Sequence, residues 1–355
     1  AAARRLAGAA WRSRPRRLAP PLPAACMGTA TPTTLGPAER ARFDRAVTVV
    51  AVKVPKARCQ AVVKALRHGG LFDRPRLRSV VNHPTDESTR LVLLSERVKD
   101  PSDLGELSGA ARACVEAEVS GAGAELLTHD VQLSFEYFHA DEVLRELLPG
   151  GMEVPSSFET VGHVAHLNLR EEHLPYKCLI GQVLLDKNSP RIRSVVNKLG
   201  TIENEYRVFD MEVLAGDECL ETSVKQHGCT FHLDYREVYW NSRLETEHNR
   251  LLGVFKEGEG VCDMMAGIGP FAVPAAKKGC VVVANDLNPR SAHWLERNAK
   301  ANGVGNRLAV HCMDAREFVR AAVGPEGKAS ELRTRDPANG RFALPAGGWG
   351  FDHAV

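Results

Sequence analysis

The residues with the clearest chemistry are carboxylates that follow short apolar runs. Val261-Cys262-Asp263-Met264-Met265-Ala266-Gly267-Ile268-Gly269-Pro270-Phe271 puts a strand, an acid, two glycines and a helix-starting proline in that order. The glycines let backbone pass close to a ligand, and proline suits a first helical turn. Alone, Gly267-x-Gly269-x-x-Ala272 also satisfies the dinucleotide pattern G-x-G-x-x-G/A. Asp263, however, lies four residues before Gly267, where a pyrophosphate approaching the turn would meet a negative charge. A cationic ligand would be welcomed there, and S-adenosylmethionine carries both an ammonium and a sulfonium. Asp286 closes the next apolar run, where an acid suits ribose hydroxyls in either reading.

Asp314 follows a third run in Val310-His311-Cys312-Met313-Asp314-Ala315, and this Asp-Ala pair resembles the adenine-facing position of class I methyltransferases. Three acids on three successive strand ends favour a methyltransferase over a nicotinamide oxidoreductase. For Asp286 or Asp314 taken singly, a helix cap is the plain alternative.

The elements that must position these acids alternate. From Asn241 onward, Val261 to Asp263, Val281 to Asn285 and Leu308 to Cys312 read as strands separated by helical stretches, which makes a parallel α/β sheet. Residues 136–240 read as an α+β middle domain. Asp141 to Leu148 is an amphipathic helix, followed by strands at His163 to Leu169, Ile180 to Asp186, Tyr206 to Ala215 and Thr230 to Val238. Residues 36–135 read as a small α/β module, with strands at Ala46 to Val54 and Leu91 to Leu94 and a helix through Val62 to Arg67. The expected fold is therefore α/β and α+β multidomain, ending in a class I (Rossmann-like) methyltransferase domain over 241–355.

Asn285-Asp286-Leu287-Asn288-Pro289, the run Tyr206 to Gly216, Phe158 to Arg170, Pro175-Tyr176-Lys177 and Tyr239-Trp240-Asn241-Ser242-Arg243-Leu244-Glu245-Thr246-Glu247 occur in that family's order. On these motifs the chain, from about residue 40 to its end, resembles the archaeal and eukaryotic tRNA (guanine-37-N1)-methyltransferases. The resemblance implies S-adenosylmethionine as methyl donor and tRNA as partner, through its body and its anticodon stem-loop, in a monomeric enzyme. It implies a cofactor site drawn from Asp263, Gly267, Gly269, Asp286, Asn288 and Asp314. Glu247 would be the general base, Arg207 the guanidinium at guanine O6, and Arg243 a substrate-positioning group. Read from the residues alone, Ser242-x-x-Glu245 is a capping box that starts a helix. Arg243 and Glu247, spaced i,i+4, could then be only a surface ion pair worth a few tenths of a kcal/mol. A non-catalytic RNA-binding relative is the alternative to an enzyme.

Lys187, Arg191, Arg193 and Lys198 flank the turn Asn188-Ser189-Pro190 and form a candidate phosphate-binding cluster, a solvated loop being the equal alternative. The tract Arg74 to Arg78 is a weaker candidate. His163, His166 and His173 suggest a metal, but the first two fall on an alternating strand and face apart, and methyl displacement from a sulfonium needs no metal.

Composition sets the frame. The 355 residues carry a formal net charge of +2 and 44% hydrophobic residues. Six arginines lie between Arg4 and Arg17, so the remainder is slightly acidic and polyanions must meet local patches. Residues 1–35 contain no acid and resemble a mitochondrial transit peptide, implying the matrix. A basic disordered tail is the alternative, and a start at Met27 would leave a cytoplasmic or nuclear form. The nine cysteines show no C-x-x-C pair and are expected to be reduced and mostly buried. No apolar run approaches the roughly 20 residues that span a bilayer. Phe351 to Val355 reads as the beginning of a fourth parallel strand, and in the family the next residues carry an Asn-Leu-Pro or Asn-Pro-Pro motif. The methyltransferase sheet is therefore expected to be incomplete within this chain, with Gly324 to Gly348 adding little to it.

Overall fold

The computed structural model describes residues 35–121, 123–155, 157–200, 204–323 and 351–355. The arginine-rich leader, Met27 and the stretch Gly324 to Gly348 lie outside the described residues.

The first sheet is antiparallel, in the order β2-β3-β1-β4, from β1 (Arg45–Pro55), β2 (Val80–Asn82), β3 (Thr89–Leu93) and β4 (Glu125–Leu133). Alternation along β1 gives it two apolar faces. Val50, Val52 and Val54 join a core with α2 (Lys56–Leu66) and α3 (Gly109–Gly121). Val49 and Ala51 share a second core with Phe135, Leu144 and Ile180, so this module packs directly on the middle domain. A short helix, α1 (Pro37–Ala41), precedes β1.

The middle domain holds α4 (Ala140–Leu147), β5 (Glu159–Val161), β6 (Val164–Leu167), α5 (Lys177–Asn188), β7 (Ser194–Leu199) and β8 (Asp210–Gly216). Its sheet runs β5-β6-β7-β8, with β6 and β7 parallel and the other pairs antiparallel. The expected strand Ile180 to Asp186 is the helix α5. Leu179, Ile180, Val183 and Leu184 are buried at helical spacing, which outweighs the β-like composition of the run. The expected alternation from His163 to Leu169 is also absent, because all four residues of β6 are buried in a strand with neighbours on both edges.

The hairpin of β9 (Glu221–Gln226) and β10 (Cys229–Asp234) meets the middle sheet, where His163 N–H donates to Thr222 Oγ1 at 3.2 Å, and packs on the C-terminal domain. Asn298 on α8 (Pro289–Ala301) and Asn302, which caps the end of that helix, hydrogen-bond the hairpin backbone like an added strand. His232 N–H donates to Asn298 Oδ1 at 2.7 Å, Thr230 N–H donates to Asn302 Oδ1 at 2.9 Å, and both amide nitrogens donate back to the carbonyls of the same residues. Phe231 and Leu233 enter the same core as Val261 and Val282.

That domain continues with α6 (Glu245–Val254), β11 (Gly260–Asp263), α7 (Ala272–Lys278), β12 (Val281–Asn285), β13 (Leu308–His311), α9 (Ala315–Val323) and β14 (His353–Ala354). Its four strands are parallel in the order β13-β12-β11-β14. The order reverses direction between β11 and β14, which opens a crevice at the carboxyl ends of the strands. Phe351 to Val355 supplies the expected fourth strand.

Gly269 sets how closely α7 and α8 approach behind that crevice. Its φ is +98°, and a Cβ there would lie 2.4 Å from Leu295 Cδ1 and 2.8 Å from Val273 Cγ2, both of them fully buried. Gly269→Ala is therefore expected to cost roughly 2–4 kcal/mol, from overpacking and a left-handed backbone together. A denaturant midpoint unchanged from wild type would contradict this packing.

Candidate functional site

Each of the three acids sits where its parallel strand ends, but they are not equivalent. Asp263 is 2% exposed, and its Oδ2 is buried with no hydrogen-bond partner. Burial pushes its carboxyl up to about 7; the Met265 N–H pulls it down and the neighbouring Asp286 adds to the rise. Asp286 is raised as well, first by burial, and both its oxygens accept backbone N–H groups, from Gly267 at 2.8 Å and Asn288 at 2.9 Å. Asp286 therefore fixes the glycine turn. Gly267 has φ +55°, and nothing lies within 4 Å of where its Cβ would be, so that face of the turn is open to a ligand.

Asp314 is a helix cap: its Oδ1 accepts the N–H of Arg316 at 2.9 Å and more weakly that of Glu317 at 3.4 Å at the start of α9. It remains half-exposed and can still present its second oxygen. Asn288 turns its side chain away, with Oδ1 capping α8 through Arg290 N–H and Nδ2 donating to the Glu237 carbonyl. Its side chain positions the loop.

Two residues that sequence reading missed hold this arrangement. Asn285 is fully buried; its Nδ2 donates to the carbonyls of Met264 and Met313, and its Oδ1 accepts Met313 N–H. The signal was a polar residue closing the apolar run Val281 to Ala284. His248 on α6 is 3% exposed, with its ring 4.5 Å from that of Phe271, just past the glycine turn. That contact docks α6, the helix that carries Glu247, against the residue after the glycine turn.

The expected catalytic groups do not pair as their spacing suggested. Arg243 forms a salt bridge with Glu159 of β5, while Glu247 pairs with Arg250 at 2.7 Å, and that hydrogen bond holds the Glu247 carboxyl below its ordinary value. The helix also starts differently. Asn241, not Ser242, caps the 3-10 turn Ser242–Leu244 through Arg243 N–H, and α6 follows from Glu245. Arg207 is exposed at φ +54° in a turn closed by the Asn204 side chain, which bonds both the N–H and the carbonyl of Val208.

The four cations around Asn188 do not form one patch. Lys187 is turned inward, donating to the Phe135 carbonyl with its ammonium over that ring, and burial pulls it down to about 8. Arg193 contacts His163 and lies 3.8 Å from Asp217, Arg191 is exposed, and Lys198 rests 4.3 Å from the centre of the Phe209 ring. Arg74 is committed to Glu96 and Glu142.

The three histidines of the metal question are separated too: His163 meets Thr222, His173 meets the Glu153 carbonyl, and His166 faces Glu159. Among the described cysteines, Cys229, Cys262 and Cys280 are buried but Cys178, Cys219 and Cys312 are exposed, against the expectation of mostly buried thiols. Among the described residues no helix is long and apolar enough to cross a membrane.

A cleft of about 770 Å3 between the N-terminal module and the middle domain includes Arg76, Phe138 and Lys187, and none of the strand-end acids. A smaller one, about 230 Å3, lies between the middle domain and the start of α6 and includes Arg243.

Residues 222–326 match the TRM5/TYW2 methyltransferase domain, and residues 140–219 match the TYW2 N-terminal domain. A tRNA (guanine(37)-N(1))-methyltransferase of Phytophthora infestans (strain T30-4) is 44% identical over 321 residues, covering 89% of this chain and 77% of that protein. The chain belongs to the tRNA (guanine(37)-N(1))-methyltransferase family. Members from Xenopus tropicalis and Homo sapiens are 44% and 40% identical over 81% of the chain. The chain spans 57% and 55% of their lengths. The crystal structure of Trm5b from Pyrococcus abyssi shares the fold at a TM-score of 0.52 and 27% identity, covering 76% of this chain and 73% of that one. The aTrm5 complex with tRNALeu is alike in fold at a TM-score of 0.56 and 19% identity, covering 76% of each chain. The domain match beginning at residue 222 agrees with the hairpin's packing on the C-terminal domain.

Asp263 gives the site a pH signature. Its folded value lies above the 3.8 of an ordinary aspartate, so between about pH 4 and 7 the folded protein holds a proton that the unfolded chain releases. Its stability contribution is fully present at the acid end of that window and is lost as pH rises through 7. Asp263→Asn, which cannot ionise, is expected to gain stability relative to wild type from pH 5 to pH 8, read from urea midpoints. A constant difference between the two proteins would contradict it.

Proposed function

We propose that the chain is the core of an enzyme that methylates N1 of guanosine 37 in tRNA, with S-adenosylmethionine as donor. The observation that carries this reading is the buried Asp263 carboxylate, its Oδ2 without a hydrogen-bond partner, beside the open face of Gly267. A cation relieves such a carboxylate, and a pyrophosphate would aggravate it. The residues present therefore fit S-adenosylmethionine: Asp263 and the glycine turn would receive its amino-acid end, Asp286 its ribose, and the Asp314 loop its adenine. When bound, this donor supplies an electrophilic methyl group on a sulfonium.

The protein must manage a proton and a developing charge. Neutral guanine N1 carries a proton, so its attack needs a base, and charge moving onto O6 needs a donor. Glu247 is assigned as the base, on the helix that His248 docks beside the glycine turn. Its pairing with Arg250 keeps it ionised in the neutral range, and it becomes a stronger base when Arg250 lets go. Arg207 is assigned to O6, and its turn holds the guanidinium exposed rather than committed to an internal acid. Arg243 positions the substrate once released from Glu159. Arg191, Arg193 and Lys198 are the cations assigned to RNA.

Methyl transfer from labelled donor to unmodified tRNA, measured on the full-length protein, tests the reading. Guanosine 37 is expected to be required. Glu247→Gln is expected to lower kcat about 10²- to 10⁴-fold while leaving tRNA affinity within about twofold. Binding of donor and tRNA with no transfer by wild type would make the protein an RNA-binding scaffold instead.

A further inference from the structure

The 230 Å3 cleft between β5, β6 and the 3-10 turn before α6 is chemically unlike the cofactor cradle. Its floor is His166, 5% exposed, with Nδ1 buried and without a hydrogen-bond partner. The other nitrogen, Nε2, stands 3.5 Å from Glu159 Oε2. Burial, and then Lys198, pull His166 down to about 4, so the ring is neutral at physiological pH. Lys198 lines the cleft with its ammonium 4.3 Å from the Phe209 ring centre, and Tyr239, 40% exposed, also contributes its ring. Glu159 adds a carboxylate that is only partly used by Arg243.

Flat aromatic faces, a cation and polar side chains such as Glu159 and Asn168 match the demands of an unstacked nucleobase. Single-stranded bases are held by stacking on aromatic rings and by polar groups at their edges. A phosphate would leave the aromatic faces of Phe209 and Tyr239 unused and would meet the Glu159 carboxylate. The cleft has room for one base, not for a helix or a run of nucleotides. Its place is also informative, because Arg243 lines it and the same short turn leads into the helix that carries Glu247.

We propose that the cleft formed by Glu159, His166, Lys198, Phe209, Tyr239 and Arg243 is a subsite for a second unstacked nucleotide of the RNA substrate, an immediate neighbour of the methylated guanosine. This rests on the tRNA reading above. Occupation of the subsite draws Glu159 toward the edge of that base and frees Arg243, so loading the neighbour and releasing the positioning arginine become one event. Glu159 is thus a positioning residue that acts through Arg243.

The test couples RNA and protein changes in the full-length protein. tRNA transcripts that keep guanosine 37 but lack the base at position 36 or, separately, at 38 are compared with intact tRNA by fluorescence anisotropy. Wild type is expected to lose about tenfold in affinity for one of the two abasic RNAs. Lys198→Gln and Phe209→Ala are expected to bind intact tRNA about tenfold more weakly and that abasic RNA no worse than intact. Equal abasic penalties in wild type and variants, or no penalty at either position, overturn the subsite while methyl transfer to guanosine 37 stands. Failure of wild type to bind tRNA at all overturns the functional reading and the subsite together.

Discussion

The side-chain amide of Asn285 is the constraint on which the cofactor cradle depends. Fully buried at the end of β12, it donates to the carbonyls of Met264 and Met313 and accepts the Met313 N–H, while its own backbone carbonyl accepts Ala266 N–H. One residue thus laces together the loops that follow three parallel strands. Each of these bonds contributes only about 1 kcal/mol, but leaving one of the buried backbone groups unpaired would cost about 1–3 kcal/mol. With the loops so tied, Asp286 can hold Gly267, and Gly267 can keep an open face next to Asp263.

Within that frame the chemistry is divided between a rigid and a releasable part. Asp263 is buried at its strand end and carries a desolvation cost, which in the proposed reading a bound cation relieves. The groups assigned to proton and charge handling lie on the surface and are held by partners that can be exchanged. Glu247 leans on Arg250, and Arg243 leans on Glu159 across to the middle domain. Such exposed pairs are weak, so an RNA substrate can displace them without unfolding anything.

How much of this the sequence made legible depended on how local the signal was. The parallel strands could be read because apolar runs end in acids or amides, and Gly267-Ile268-Gly269-Pro270 names its own turn. Helix α5 was missed because Leu179 to Leu185 is short and mostly apolar, and periodicity separates strand from helix poorly in such runs. The hairpin's allegiance was invisible, since it rests on Asn298 and Asn302, some 70 residues later, bonding its backbone. Glu159, His166 and Lys198 come from three separate segments that only the middle sheet brings together. Lys187 and Asn288 looked available by residue type, but Phe135 and Glu237, far along the chain, claim their side chains.

The central claim is that Asp263 and the Gly267 turn form a cradle for a cation at the carboxyl end of the parallel sheet. Calorimetric titration of the protein at pH 7.5 with S-adenosylmethionine and, separately, with NAD tests it most directly. The account predicts saturable binding of S-adenosylmethionine, lost in Asp263→Ala, and no heat from NAD. Binding of NAD, or S-adenosylmethionine binding indifferent to Asp263, would contradict it.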